Sequence, residues 1–127
     1  MMKKILGILI SIGVLGIAGC SEPVIPSNEV NKLTLAFLNA NIYPNAAVEC
    51  EPAKIAERLY VGCYGMKLNG HSNISLWLYE EHIFKAVNGT ARQFAESKFS
   101  DEAFVGVLPL PIPEDIKINE AIAVFKK

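Results

Sequence analysis

Apolar and polar positions along this chain change their period several times, and each change predicts an element. From Ile5 to Leu15 the residues are apolar, interrupted only by Ser11 and glycines, so the stretch is a continuous run and not an amphipathic one. Ser21-Glu22-Pro23-Val24-Ile25-Pro26-Ser27 follows, two prolines among small and charged residues, which predicts an extended, irregular tether. Val30, Leu33, Phe37 and Ala40 then recur at helical spacing, and Leu35, Leu38 and Ile42 widen the same face. Ser27 or Asn28 is placed to cap that helix, which runs to about Asn41 before Tyr43-Pro44-Asn45 stops it. So broad an apolar face predicts a helix buried on a sheet.

Between Ala46 and Val87 strand signals dominate. Ala46 to Cys50 reads as a short strand, and Leu59 to Leu68 as a longer one containing Tyr60, Val61, Tyr64 and Met66. Asn69-Gly70 is a strong tight-turn pair, after which Asn73 to Tyr79 carries Ile74, Leu76 and Leu78 on one face. Glu80-Glu81-His82 makes a further turn before a strand from Ile83 to Val87. Residues 52–58 fit either strand or one or two helical turns opened by Pro52.

Asn88-Gly89-Thr90 ends the last of these strands and starts a second helix. Thr90 and Gln93 have capping-box spacing, Arg92 and Glu96 the spacing of a helical ion pair, and Phe94 and Phe99 give the helix something to bury. Leu108-Pro109-Leu110-Pro111-Ile112-Pro113 alternates prolines with aliphatics and predicts extended backbone that packs as an edge or crosses the sheet. Ile116 to Phe125 fits a strand or a short helix, with strand preferred. These elements predict one α+β domain over residues 28–127: a small antiparallel β-meander sheet packed with an N-terminal helix and a second short helix.

The N-terminus has a different logic. Lys3 and Lys4 precede the apolar run, and Gly16 to Gly19 follow it as small or aliphatic residues. That order is the charged and apolar part of an export signal, and the run is short for a bilayer-spanning helix. Leu15-Gly16-Ile17-Ala18-Gly19-Cys20 resembles the lipobox of bacterial lipoproteins, an aliphatic residue and two small ones ahead of a cysteine. The resemblance covers residues 1–21. It implies removal of residues 1–19 by cleavage between Gly19 and Cys20, acylation of Cys20 by chains such as palmitate, and a tether over 20–27. Ser21 in place of an aspartate implies no retention at an inner membrane, hence an outer-membrane anchor facing the periplasm in a Gram-negative cell. One acyl chain binds a bilayer only marginally at about 0.8 kcal/mol per methylene, whereas two or three on one cysteine hold it durably.

Charge and composition narrow the partners. The 127 residues are 51% hydrophobic, a fraction inflated by the leader, and suit one compact domain. The first nineteen residues hold Lys3 and Lys4 and no acid, which leaves 10 basic side chains against 13 acidic ones, formally −3. Such a domain lacks the basic stripe that nucleic acid would require. Its partners are therefore expected to be the membrane, through lipid on Cys20, and an envelope protein.

Candidate chemistry adds one covalent feature. With Cys20 acylated, Cys50 and Cys63 remain, and an even pair in an exported chain reads as a disulfide. Neither sits in a Cys-x-x-Cys motif, and the spacing of Cys50, Cys63, His71 and His82 matches no ordinary zinc pattern, so no metal or other cofactor is expected. Glu49 and Glu51 point to the same side of a strand, and Glu80 and Glu81 are adjacent in a turn; solvated positions explain both pairs. The chain contains no Gly-x-Ser-x-Gly elbow, phosphate loop or dinucleotide fingerprint.

Tyr60, Tyr64, Trp77 and Tyr79 on the meander are the remaining surplus. Aromatics with a polar tip favour interfaces, and either these form an exposed patch for a protein partner or a second helix covers that face. The expectation is a non-catalytic envelope lipoprotein that binds another envelope protein as an accessory, inhibitor or exclusion factor. The alternative is a small-molecule or peptidoglycan-binding module with a pocket between helix and sheet; a small hydrolase or redox enzyme ranks below both.

Overall fold

The computed structural model describes residues 24–126, so Cys20, its cleavage site and the first half of the tether, residues 20–23, lie outside the described residues. Helix α1 spans Ser27–Asn39, strands β1 to β5 span Ala47–Ile55, Arg58–Lys67, Gly70–His71, Ser75–Glu80 and Ile83–Ala86, α2 spans Gly89–Ser97, β6 spans Val105–Val107 and α3 spans Ile118–Phe125. This is an α+β fold. Strand order in the sheet is β1-β2-β4-β5-β6, with β3 paired to the end of β2. All pairings are antiparallel except the last, where β6 runs parallel to β5. The expected antiparallel meander is therefore corrected at that edge: α2 makes the crossover that a parallel neighbour requires.

Strand alternation sends side chains to two covered faces. On one face Val61, Cys63, Trp77, Phe84 and Ala86 pack against Val30, Leu33, Ala36 and Phe37 of α1, and Ala91 and Ala95 of α2 close the same cluster. Phe37 is its centre, with the Phe99 ring at 5.1 Å and Trp77 edge-on at 6.1 Å. On the other face Tyr60, Tyr64, Leu76 and Leu78 meet Leu108 and Ile116 of the tail, together with Ala121 and Phe125 of α3. The result is three layers, helices and tail on both sides of one sheet. Ser75 is fully buried yet satisfied: its Oγ accepts from Trp77 Nε1 at 2.9 Å and donates to the Cys63 carbonyl at 3.3 Å.

Several local expectations are revised. Pro26, not Ser27 or Asn28, is the N-cap of α1, and its carbonyl accepts from the Glu29 and Val30 amides. Asn88 caps α2 instead of Thr90: its Oδ1 accepts from Ala91 N at 3.1 Å and Leu76 N at 3.0 Å, while Nδ2 donates to Ile74 O at 2.8 Å. Arg92 donates to the Val87 and Leu108 carbonyls instead of pairing with Glu96. Residues 52–55 are strand and 56–57 a two-residue hairpin turn. The preferred strand over Ile116–Phe125 is corrected to helix α3, because Ile118, Ala121, Ile122 and Phe125 share a helical face: Ala121 and Phe125 are buried on the sheet's second face, and Ile118 and Ile122 pack against that cluster. Along the proline run Leu108 donates a last rung to Ala86 O, after which Ile112 and Ile116 pack beneath that face. Arg58 then holds Asp115 of the returning tail and Glu80 of β4.

Two glycines of β2 make the helical layers fit. A Cβ on Gly62 would lie 2.6 Å from the Phe125 ring of α3, and one on Gly65 would lie 2.7 Å from the Tyr43 ring on the opposite face. Each glycine is a slot for one aromatic ring.

Candidate functional site

The sequence-derived residues fall into two groups, those absorbed by the core and those at the ends of the sheet. Cys50 and Cys63 face each other across β1 and β2 as direct register partners and form a disulfide, with Cα atoms 4.1 Å apart. Cys63 is fully buried beneath α1, which makes the pair a clip inside the core.

Of the two alternatives for the meander aromatics, an exposed patch or a face covered by a helix, the structure has the covered one. Tyr60, Tyr64 and Trp77 are buried, and Tyr79 is half-buried. They also divide between faces, since Trp77 and Tyr79 lie under α1 and α2, and Tyr60 and Tyr64 lie under α3 and the tail. The physical reason is that both sheet faces found a cover: α3 occupies the side that would otherwise have been open.

Two of the four carboxylates, Glu51 and Glu80, are held by neighbouring side chains. Glu49 and Glu51 do share a side of β1, and Glu51 accepts a 2.7 Å hydrogen bond from the Tyr64 hydroxyl. Burial, then that bond and the neighbouring Glu51 and Glu49 charges, push the Tyr64 pKa up to about 12. A phenol held there stays a donor and is far from the proton-transfer range near neutral pH. Glu80 is bonded by Arg58 at 2.9 Å and Lys85 at 3.0 Å, and Glu81 lies exposed in the turn.

The two histidines are separated by the length of the sheet. His71 pairs with Met66 at one end, its Nδ1 2.9 Å from the Ser72 carbonyl and its ring 4.9 Å from Tyr64. His82 lies beyond Glu80 at the other end, its Nδ1 3.3 Å from the Tyr79 hydroxyl and 3.8 Å from Glu29 Oε1. Among the described residues no three His, Cys, Asp or Glu side chains gather as metal ligands.

The two ends differ in character. Helix α1 begins at the end that carries Glu29, His82 and the Ala56-Glu57 turn, and Glu29 is buried there against Lys32 at 3.2 Å and the Tyr79 hydroxyl at 3.4 Å. The opposite end carries the β2–β3 hairpin. Its turn is one residue earlier than Asn69-Gly70 predicts: Leu68 and Asn69 form the loop, and Gly70 takes φ 128°, a value that favours glycine. Leu68 is consequently fully exposed at 104%, beside Met66 at 43%.

A cleft lies on each side of this hairpin. One, of about 340 Å³, is walled by Ile42, Tyr43, Pro44, Ala46 and Lys67. The Tyr43 hydroxyl is buried there without a partner at full hydrogen-bond geometry; burial raises its pKa, and nearby Ser72 offsets part of that rise. The other cleft, of about 370 Å³, lies between the β3–β4 connection, the start of α2 and the outer side of α3. Sequence reasoning missed this end, because the turn register that lifts Leu68 out of the sheet and the helix that walls the second cleft were both read otherwise. An aliphatic residue directly ahead of Asn-Gly, with no face left to bury it, is the signal that marks the tip.

Among the described residues no helix is long and apolar enough to cross a membrane. Comparison of the chain with protein-family models, curated proteins and solved structures found no match.

Proposed function

We propose that this chain is a lipid-anchored protein of the bacterial cell envelope whose α+β domain is non-catalytic and docks another envelope protein through its β2–β3 hairpin. The lipobox resemblance around Cys20 supports the anchor, and the Cys50–Cys63 disulfide suits an oxidising compartment. The observation that carries the reading is the polarity of the domain. The tether enters α1 at the Glu29–His82 end, and Leu68 with Met66 stands at the other end of the sheet. With α1 of 13 residues running about 20 Å toward that end, an anchored domain holds its exposed apolar tip away from the bilayer. A fully exposed leucine beside Lys67 fits a partner that offers an apolar pocket with an acidic rim.

A photo-reactive p-benzoylphenylalanine placed at position 68, and in a separate chain at position 57, tests this in the producing cell's own membranes. A discrete protein adduct from position 68 and none from position 57 is expected. No adduct from position 68, or the same adducts from both, would overturn the reading.

A further inference from the structure

The cleft beside α3 has a lining unlike the rest of the surface. Ile74, Ile118 and Ile122 supply its apolar part, and its polar groups are almost all neutral. Two of those belong to the framework: Asn88 spends its amide on Leu76, Ala91 and Ile74, and Ser72 Oγ is held by Gly65 N and Asn73 O. The side chains of Asn73, Thr90, Asn119 and Lys126 also line the cleft and have no hydrogen-bond partner among the described residues. His71 adds a ring whose Nδ1 faces the Ser72 carbonyl, so that the neutral imidazole keeps Nε2 as an acceptor.

Chemistry restricts what such a lining takes. No carboxylate lines the cleft, which disfavours a cationic ligand, and one ammonium is too few for a polyphosphate. A lining in which polar side chains outnumber the three isoleucines mismatches an acyl chain. A sugar ring has the complementary pattern, a C–H face for the isoleucines and a rim of hydroxyls for Thr90 and the amides. Two free asparagines, each with a donor and an acceptor, pair naturally with an acetamido group, and Lys126 can pair with one carboxylate. The volume of about 370 Å³ falls in the range of about 300–1,000 Å³ that small ligands occupy.

We infer that this cleft is a glycan subsite that binds an N-acetylated amino sugar bearing a carboxylate. It is separate from the Leu68 tip and does not depend on a protein partner; that such a sugar is at hand rests on the envelope location proposed above. The test uses the full chain in detergent, with saturation-transfer NMR titrations of the disaccharide N-acetylglucosamine–N-acetylmuramic acid and of N,N′-diacetylchitobiose, which lacks the carboxylate. Asn119 and Lys126 are exposed on or just after a helix, so Asn119→Ala and Lys126→Met leave the fold intact. The expected result is binding of the acidic disaccharide at least fivefold tighter than chitobiose, weakened at least tenfold by either substitution and unchanged by Leu68→Ser. Absence of binding by either sugar, or binding that survives both Asn119→Ala and Lys126→Met, overturns the assignment.

Discussion

Single residues decide how the layers of this domain close on each other. Gly62 and Gly65 leave room for Phe125 and Tyr43 on opposite faces, and any side chain there must displace a ring and not a flexible tip. Gly62→Ala is expected to destabilise by about 1–3 kcal/mol, the usual cost of overpacking, measured as a lower urea midpoint at unchanged slope. Tyr64 makes a second, pH-dependent contribution. Its folded pKa of about 12 exceeds the ordinary value of 10.0, so the folded state favours the neutral phenol. That stability is fully present below pH 10 and is lost as pH rises toward 12, while the unfolded chain ionises first. Burial raises the pKa of Tyr43, Tyr60 and Tyr79 as well, so all four act with the same sign. Unfolding midpoints should therefore fall between pH 10 and 12, and Tyr64→Phe should make that fall shallower; an identical slope in the variant would show that Tyr64 does not contribute. At this scale the sequence was only partly readable. It marked the tyrosines as unusual, but whether an aromatic is exposed depends on which distant helix covers it, and spacing along one strand does not carry that information.

Elements were legible where a period ran undisturbed. Helix α1, strand β2 and the β4–β5 hairpin lie within a few residues of their sequence-based positions, because core-facing residues at helical or alternating spacing have one way to be buried, whereas β1 runs on to Ile55, past the expected end at Cys50. The departures came from side-chain capping and from short apolar runs. Asn88 outcompetes Thr90 because one amide there satisfies the α2 terminus and two backbone groups of β4 and its approach. Ile116–Phe125 is rich in β-branched and aromatic residues, yet β6 already holds that sheet edge and the run packs as a helix. Ala56-Glu57 forms a tight hairpin with both residues at positive φ, 49° and 73°, without the Asn-Gly signature that announces such turns. The Cys50–Cys63 bridge clips the two strands that this turn joins, with 13 residues of separation. A Cys50→Ala/Cys63→Ala double variant is expected to lose about 3 kcal/mol by the loop-entropy argument while keeping its far-ultraviolet dichroism, since the β1–β2 ladder remains. Unchanged denaturant stability would mean that the bridge is not formed in the native protein.

The whole molecule has an end that receives the tether and an end that presents the hairpin, with a sheet covered on both faces between them. Covering both faces consumed the aromatic surplus and moved the candidate surfaces to the rim, where loop register and helix placement matter most and sequence periodicity matters least. In the function proposed above, this domain is held at an envelope membrane by lipid on Cys20, with its sheet clipped by the Cys50–Cys63 disulfide. The direct measurement is the intact mass of the full protein extracted from membranes of the cells that produce it, before and after reduction. The expected species starts at Cys20, is heavier by its acyl chains and gains two hydrogens on reduction. An unacylated chain that retains Met1, or a mass unchanged by reduction, would contradict it.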